Sequence, residues 1–211
     1  MVIERTGVDD DADCADASRP VRADARRNVD ALLRAALAVF TTSGVDAPVR
    51  EIAVEAGVGI GTVYRHFPQR SDLIVAVFRH EVDECADAAS ALADTYPPDE
   101  ALSRWMQRYF DFIAAKRGLA AALRSGDPAF EALPGYFKQK LVPALRGLLD
   151  AAAVAGEVRG DMEPYDLLRA VGDLGVSAHY DGPAQARQMV ALLVDGLRFG
   201  ANRQPKELGK P

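Results

Sequence analysis

The chain has 211 residues and a net charge of −6, with 49% hydrophobic and only 7% aromatic residues. This apolar content is sufficient for a substantial core, and the abundance of alanine favours helices over sheets. No uninterrupted apolar run of about 18 residues occurs, and the N-terminus is acidic, so the sequence predicts neither a membrane span nor a secretory signal. We therefore expect a helical, cytoplasmic protein.

Charge is unevenly distributed along the chain. Residues 1–18 carry one arginine against six acidic residues, whereas residues 19–80 carry nine arginines against six acidic residues. Residues 81–211 are again acidic. The overall balance excludes a generally basic nucleic-acid binder, but the one positive segment is compatible with DNA binding through a local basic face.

The N-terminal segment is predicted to be a disordered acidic tail with a basic end. Residues 1–25 have no hydrophobic periodicity and combine aspartates with small residues. The arginines at the end of the tail are Arg19, Arg22, Arg26 and Arg27. They form either an arm that neutralises phosphates or enters a minor groove, or the solvated start of a helix. Residues 201–211 are predicted to be a second disordered tail.

An amphipathic helix is predicted for residues 28–43. Its apolar residues recur at helical spacing: Val29, Leu32, Leu33, Ala36 and Phe40. Ser43 and Gly44 end this helix. Asp46 is placed to cap the next helix, and Pro48 stands near its first position, where a missing N–H costs nothing.

Two short helices separated by a glycine turn follow between residues 49 and 66. The first has an apolar face and ends at Gly57, since glycine adopts the left-handed conformation without a steric penalty. The second, Ile60–His66, is ended by Pro68. A long helix is then predicted from Ser71, as its N-cap, to Asp94.

Two helices joined by a short glycine-containing turn are typical of a helix-turn-helix motif. The second helix carries small residues for close approach, and hydroxyl, cationic and imidazole groups for phosphates and base edges. The alternative is a helical hairpin in an all-α core, with Tyr64 and His66 merely at the surface.

Residues 28–73 resemble the DNA-binding domain of the TetR family of transcriptional repressors. The similarity is carried by AxxxF before Gly44, by REIAxxAGV, and by GTVYRHFPxRxDL from Gly61 to Leu73. Residues 101–123 and 141–200 are more weakly similar to the family's regulatory domain. The resemblance implies an all-α fold of about nine helices, with a three-helix DNA-binding domain at 26–72 and a ligand-binding and dimerisation domain at 73–200.

The predicted DNA-binding residues lie on the second helix of the motif, beside it, and in the arginine arm. They are Arg26, Arg27, Arg50, Ile60, Gly61, Thr62, Tyr64, Arg65, His66 and Arg70. Gly61, Thr62 and Arg65 are assigned to base edges. Tyr64, His66 and Arg70, together with the arm, are assigned to phosphates, and Arg50 to either.

The chain departs from the family pattern at two places. Pro48 stands where family members usually have Thr or Ser, and Gly59-Ile60 stands where they usually have Ser-Lys or Ser-Pro. The missing hydroxyl groups and cation motivate an alternative function, that of a helical small-molecule-binding protein with weak or lost DNA binding.

Residues 99–116 are predicted to form a helix with an aromatic face. This face serves either ordinary core packing or the lining of a cavity, and the resemblance favours a cavity for an unknown small-molecule effector. The predicted lining is Trp105, Met106, Tyr109, Phe112, Leu123, Phe137 and Leu141. Lys116, Arg117 and Arg124 are either solvated cations or contacts for an anionic ligand.

The last two helices, predicted at Pro164–Tyr180 and Pro183–Phe199, are apolar over more than half of their circumference. A surface helix needs one apolar stripe, so each has a face for a second subunit. Complete burial within one subunit is the alternative. The predicted dimer interface consists of Leu167, Val171, Leu174, Gly175, Met189, Leu193, Gly196 and Leu197.

Catalytic and metal-binding motifs are not found. His66, His80 and His179 are isolated from one another and from the two cysteines, so we expect no metal, no cofactor and no disulfide. The sequence thus predicts a ligand-responsive transcriptional regulator rather than an enzyme. As implied by the family resemblance, it is expected to repress by binding a palindromic DNA operator as a homodimer.

Overall fold

The computed structural model describes residues 18–115, 119–123 and 125–199, with the backbone alone for 18–26, 115, 120–121 and 176–181. These residues form nine α-helices, one 3₁₀ helix and no strand, which confirms the all-α prediction. The helices are α1 (Ser18–Ser43), α2 (Val49–Glu55), α3 (Ile60–His66), α4 (Arg70–Thr95), α5 (Pro98–Ala115), α6 (Ala120–Leu123), α7 (Leu133–Val154), α8 (Pro164–Asp181) and α9 (Pro183–Phe199), with the 3₁₀ helix at Pro128–Phe130. No helix among the described residues is long and apolar enough to cross a membrane.

The first helix is longer than predicted. Because α1 begins at Ser18, the prediction of a disordered tail is wrong for residues 18–25. Pro20 is compatible with the first turn of a helix, and the alanines and arginines after it have high helix propensity. The absence of an apolar stripe in residues 18–25 therefore does not indicate the absence of a helix. The remaining parts of both predicted tails, residues 1–17 and 201–211, lie outside the described residues.

Helices α1, α2, α3 and the start of α4 enclose a first core. Its central side chains are Leu32, Ala36, Phe40, Ile52, Val63, Leu73 and Val77, all of which are almost fully buried. The turn between α1 and α2 uses Gly44 with φ of +80°, a conformation that glycine adopts without a Cβ clash. The three-helix domain predicted from the sequence is thus present as a packed unit.

Helix α4 belongs to both halves of the chain. It contacts α1 of the DNA-binding domain and also α5 and α7. Its N-cap is Gln69, whose backbone N–H donates to Asp72 Oδ2 at 2.9 Å, so the predicted cap Ser71 lies within the first turn instead. A displacement of α4 therefore changes contacts in both domains directly.

Helix α5 lies at the centre of the second core, in contact with α4, α7, α8 and α9. The Trp105 Nε1 atom donates to the carbonyl oxygen of Cys85 at 2.8 Å, and the Tyr109 hydroxyl donates to that of Leu168 at 3.1 Å. Both rings are stacked on each other with centroids 5.7 Å apart. These buried polar atoms thus have partners within the protein.

The ligand pocket predicted around α5 is wrong for four of its residues, three on α5 and one on α7. Trp105, Met106, Tyr109 and Leu141 are at most 1% exposed and fill the core rather than line a cavity. The physical reason is that the apolar face of α5 packs against neighbouring helices, so these side chains meet protein atoms. Core packing, the alternative considered for this stripe, is correct for them.

Candidate nucleic-acid interface and effector cavity

The turn between α2 and α3 has the geometry of a helix-turn-helix. Gly57 adopts φ of +66°, and the Val58 N–H donates to the carbonyl oxygen of Ala53 at 3.0 Å. A backbone hydrogen bond from Thr62 N–H to the Gly59 carbonyl oxygen, 2.8 Å long, begins α3. Val63 is 1% exposed and holds α3 against the first core.

The remainder of α3 faces solvent. Ile60 and Tyr64 are 45% and 51% exposed, and Gly61, Arg65 and His66 are also exposed, with Thr62 half-buried. Because residues four apart share a face of a helix, Ile60 with Tyr64 and Gly61 with Arg65 form two adjacent exposed rows. The structure therefore brings the predicted α3 residues together on one surface.

Gly61 lies in an open environment. A Cβ atom built on Gly61 has no protein atom within 4 Å, and its φ is not positive. Neither turn geometry nor packing within the subunit therefore requires glycine here, although glycine weakens a helix relative to alanine. The backbone of α3 is therefore open to close approach at Gly61.

The flanking arginines differ in their exposure and contacts. Arg50, in the first turn of α2, and Arg27, on α1, are exposed, whereas the side chain of Arg26 lies outside the described residues. Arg70 needs a correction: its Nε atom donates to the carbonyl oxygen of Val45, and its Nη2 atom donates to that of Ala47 at 2.6 Å. Its guanidinium also lies over the Phe40 ring, 5.7 Å from the centroid. Arg70 thus holds the domain together instead of extending toward phosphates.

A cavity of about 300 Å³ lies between α4, α6, the 3₁₀ helix, α7 and α8. We call it the aromatic cavity. It is lined by Phe78, Leu123, Phe130, Leu133, Pro134, Phe137, Lys138 and Tyr165. Of the predicted pocket residues only Leu123 and Phe137 line it. Sequence reasoning missed Lys138 and Tyr165 because they converge only when α7 packs against α8.

Phe112, also predicted to line the pocket, supports the cavity wall from behind. Its ring is nearly parallel to that of Phe137, with an interplanar angle of 15° and centroids 6.5 Å apart. Phe112 itself borders a larger polar groove of about 630 Å³ between α4 and α5. Charges in this groove are paired, since Arg108 lies 3.8 Å from Glu84, and Arg104 lies 2.6 Å from Glu100. The aromatic cavity is therefore the better candidate for an organic ligand.

A second cleft separates the DNA-binding domain from the segment around the 3₁₀ helix. This domain cleft has a volume of about 360 Å³, and its lining includes Val45, Arg70 and Ile74 on one side and Ala122 and Phe130 on the other. Phe130 therefore borders the domain cleft and the aromatic cavity at the same time. Lys116, Arg117 and Arg124, the suggested anion contacts, lie outside the described residues.

An apolar groove of about 580 Å³ runs between α8 and α9. We call it the α8/α9 groove. The predicted interface residues that line it are Leu167, Leu174, Met189, Leu193, Gly196 and Leu197. Leu192 also lines it and is 64% exposed, so the groove presents apolar surface to solvent.

Two predicted interface residues face the interior instead. Val171 is fully buried. A Cβ atom on Gly175 would lie 2.6 Å from Ile113 Cγ2, so this glycine permits α8 to approach α5 within the same subunit. The assignment of Val171 and Gly175 to a dimer interface is therefore wrong, because both residues pack within the subunit.

Comparison with known proteins agrees with this architecture. A sequence profile described as "Bacterial regulatory proteins, tetR family" matches residues 32–77, and one described as "Transcriptional regulator SbtR-like, C-terminal domain" matches residues 97–199. A TetR transcriptional regulator from Streptomyces coelicolor is 41% identical, and the match covers 80% of this chain and 97% of that chain with a TM-score of 0.71. The chain belongs to the TetR family of transcriptional regulators.

Two further relatives support the assignment to the TetR family. A TetR transcription regulatory protein from Mycobacterium vanbaalenii is 36% identical, with 85% of this chain and 99% of that chain covered and a TM-score of 0.66. An HTH-type transcriptional regulator from Staphylococcus aureus is 27% identical over 123 residues, which span 57% of this chain and 66% of that protein. The first profile ends within α4, at residue 77, and the second begins after α4, at residue 97, so residues 78–96 lie between them.

Proposed function

We propose that this TetR-family regulator is a repressor that binds a palindromic operator as a homodimer and is released by a small molecule. The observation that carries this proposal is the exposed surface of α3. A cation, a phenol, an imidazole and an unexplained open glycine lie on a short helix held rigidly by Val63. These are the groups that a major-groove recognition helix needs.

The roles of individual residues follow from their positions on α3. Gly61 and Arg65 share one row, and with Thr62 we assign them to base edges. Tyr64 and His66, with Arg26 and Arg27 on α1, are assigned to phosphates, and Ile60 to an apolar contact beside them. Arg50 supports either role, whereas Arg70 is removed from the set because its guanidinium is engaged within the domain.

Dimerisation through the α8/α9 groove completes the DNA-binding unit. The groove presents exposed Met189 and Leu192 beside the open Gly196, and burial of this apolar surface against its own copy is favourable. A two-fold axis then requires an operator with two inverted half-sites, separated by about one helical turn or a multiple of it.

Release by a ligand is supported by the position of the aromatic cavity. Phe78 of α4 lines it, and α4 also contacts α1 of the DNA-binding domain. A molecule in the cavity therefore has direct access to the helix that both domains share. It shifts the protein away from the DNA-binding state only by its differential affinity for the two states.

We place this regulator, which is not an enzyme, in the cytoplasm.

One observation favours the alternative of a ligand-binding protein with lost DNA binding. Helices α2 and α3 begin after Pro48 and Gly59, and neither residue caps its helix with a side-chain hydrogen bond. The hydroxyl groups that would contact phosphates there are thus missing. An operator-binding protein must compensate through Tyr64, His66 and the α1 arginines.

The test is a gel-shift titration of the full chain against the DNA upstream of its own coding region and against a length-matched random fragment. The proposed function predicts tighter binding to the upstream DNA by about 10³-fold or more, with a symmetric footprint. Arg65→Ala should reduce this preference. Equal affinity for both fragments contradicts the repressor proposal, and absence of binding with retained ligand binding favours the alternative.

A further inference from the structure

The aromatic cavity has a preformed aromatic wall. Phe137 is stacked on Phe112 and tilted by 52° against Tyr109, at a centroid distance of 6.1 Å. Phe130 follows a capped turn, in which the Ala129 N–H donates to Asp127 Oδ1 at 2.9 Å. Both rings are thus held in place before a ligand arrives, so an aromatic ligand meets flat partners without first ordering them.

The charge of the cavity is asymmetric. Among the described residues that line it, Lys138 is the one ionised side chain, and there is no carboxylate. The Lys138 Nζ atom lies 4.5 Å from the centroid of the Tyr165 ring, and no described carboxylate is within 4 Å of it. Lys140, two residues further along α7, instead lies 2.9 Å from Asp83 Oδ1. One lysine of this helix is therefore neutralised, and the other remains available to an anion at the cavity.

We propose that the aromatic cavity binds a small aryl carboxylate, with the rings against the phenylalanine walls and the carboxylate at the Lys138 ammonium. The volume of about 300 Å³ is at the lower end for ligand sites, which limits the ligand to one or two rings. The flat aromatic walls favour a planar ligand over a flexible alkyl chain, because stacking adds to apolar burial. A charge-assisted hydrogen bond fixes its orientation.

This inference rests on the proposed function, in which the same cavity is the effector site. Binding to the full chain is therefore measured without DNA, by isothermal titration calorimetry. The probes are 1-naphthoate, its uncharged analogue 1-naphthamide, and octanoate as an anion without a ring. We expect 1-naphthoate to bind at least about tenfold more tightly than either of the others.

Two lysine variants separate the specific contact from general charge. Lys138→Met should lower the affinity for 1-naphthoate to that for 1-naphthamide, whereas Lys140→Met, on the same helix, should leave both affinities within about twofold. Leu123→Trp fills the cavity and should abolish binding of both naphthyl probes. Thermal melts of each variant confirm that the fold is retained.

The proposal is overturned if 1-naphthamide or octanoate binds as tightly as 1-naphthoate, or if both lysine variants lose affinity equally. Binding of 1-naphthoate that survives Leu123→Trp also overturns it, because the probe is then bound elsewhere. A gel shift in the presence of the probe is a separate measurement. If 1-naphthoate binds with the predicted pattern but leaves DNA binding unchanged, the ligand class is supported and the ligand-release step of the proposed function fails.

Discussion

The Nη2 atom of Arg70 donates a 2.6 Å hydrogen bond to the carbonyl oxygen of Ala47. This contact connects the first residue of α4 to the loop before α2, and the Nε atom makes a second bond there to the carbonyl oxygen of Val45. The planar guanidinium bonds two carbonyl groups and covers the Phe40 ring at once, which a lysine ammonium cannot reproduce. Arg70 is therefore a structural residue of the DNA-binding domain.

Arg70→Lys should destabilise the protein by about 1–3 kcal/mol, because hydrogen bonds to a charged group are lost at a half-buried site. Thermal unfolding measures this loss. Arg65→Ala, an exposed arginine in the same domain, should leave the melting temperature unchanged but weaken binding to the operator more than binding to random DNA. If Arg70→Lys melts normally and weakens DNA binding instead, the residue contacts phosphate after all.

Gly61→Ala should raise stability and lower operator affinity together. Alanine is favoured over glycine within a helix by about 1 kcal/mol, and the new methyl group meets no atom of the subunit. DNA held close to α3 would meet it. Gly147→Ala is the matched control, since Gly147 also lies in a helix with no atom within 4 Å of a built Cβ. Gly147→Ala should be more stable and should bind the operator with unchanged affinity. If Gly61→Ala and Gly147→Ala bind the operator equally tightly, DNA does not approach α3 closely at Gly61.

The helix-turn-helix could be predicted from the sequence because its determinants are local. Gly44 and Gly57 both adopt positive φ where the chain turns, and the apolar residues between them recur at helical spacing. Such signals lie within a few residues of the structure that they specify. The role of Arg70 could not be predicted in this way, because its carbonyl partners lie 23 and 25 positions earlier in the chain.

The packing of α5 against α8 could not be predicted in this way, because periodicity identifies a buried face but not its neighbour. Trp105 and Tyr109 share one face of α5, as the spacing predicts, yet the partner of the Tyr109 hydroxyl is on α8. Likewise, Gly175 permits a close approach, but to Ile113 of the same subunit. Identifying those partners requires the packing of α5 against α8, which no pattern within a single helix specifies.

Leu192→Asp should dissociate the proposed homodimer. Leu192 is 64% exposed in the α8/α9 groove, so the change costs the single subunit little, while a buried aspartate at a two-fold interface meets its own copy. Sedimentation velocity should show a monomer. Val154→Asp, at an apolar residue that is 90% exposed and does not line the groove, should remain dimeric. Dissociation by both variants, or by neither, would contradict this interface.

Tyr109→Phe should flatten the loss of stability at alkaline pH. Burial raises the pKa of Tyr109 well above its ordinary value of about 10, because a phenolate in the core would lack solvation. In the unfolded chain the same group ionises near pH 10. Its contribution to stability is therefore complete below about pH 10 and is lost at higher pH, with a slope of up to 1.36 kcal/mol per pH unit. Urea unfolding from about pH 9 to about pH 11 measures the slope, and the exposed Tyr64→Phe should leave it unchanged.

Phe130 should transmit ligand binding to the DNA-binding domain. Its ring is 7% exposed and borders both the aromatic cavity and the domain cleft, where Arg70 and Ile74 form the opposite wall. A ligand packed against this ring therefore contacts a side chain that also borders the cleft beside the beginning of α4. The ring is a physical element that both sites contact, and coupling between the sites requires such an element.

Phe130→Leu retains an apolar side chain but removes the flat ring, so the operator affinity of the ligand-free protein should stay within about twofold. Saturating 1-naphthoate should weaken operator binding by about tenfold less in this variant than in the unchanged protein. A factor of this size is typical of the coupling between two binding sites. Phe112→Leu is the control, because Phe112 packs behind Phe137 and does not border the domain cleft. Gel shifts with and without the probe measure both variants. If Phe112→Leu reduces the coupling as strongly as Phe130→Leu, the Phe130 ring has no special role in the coupling. Loosening any wall of the aromatic cavity then has the same effect as removing the ring that borders both sites.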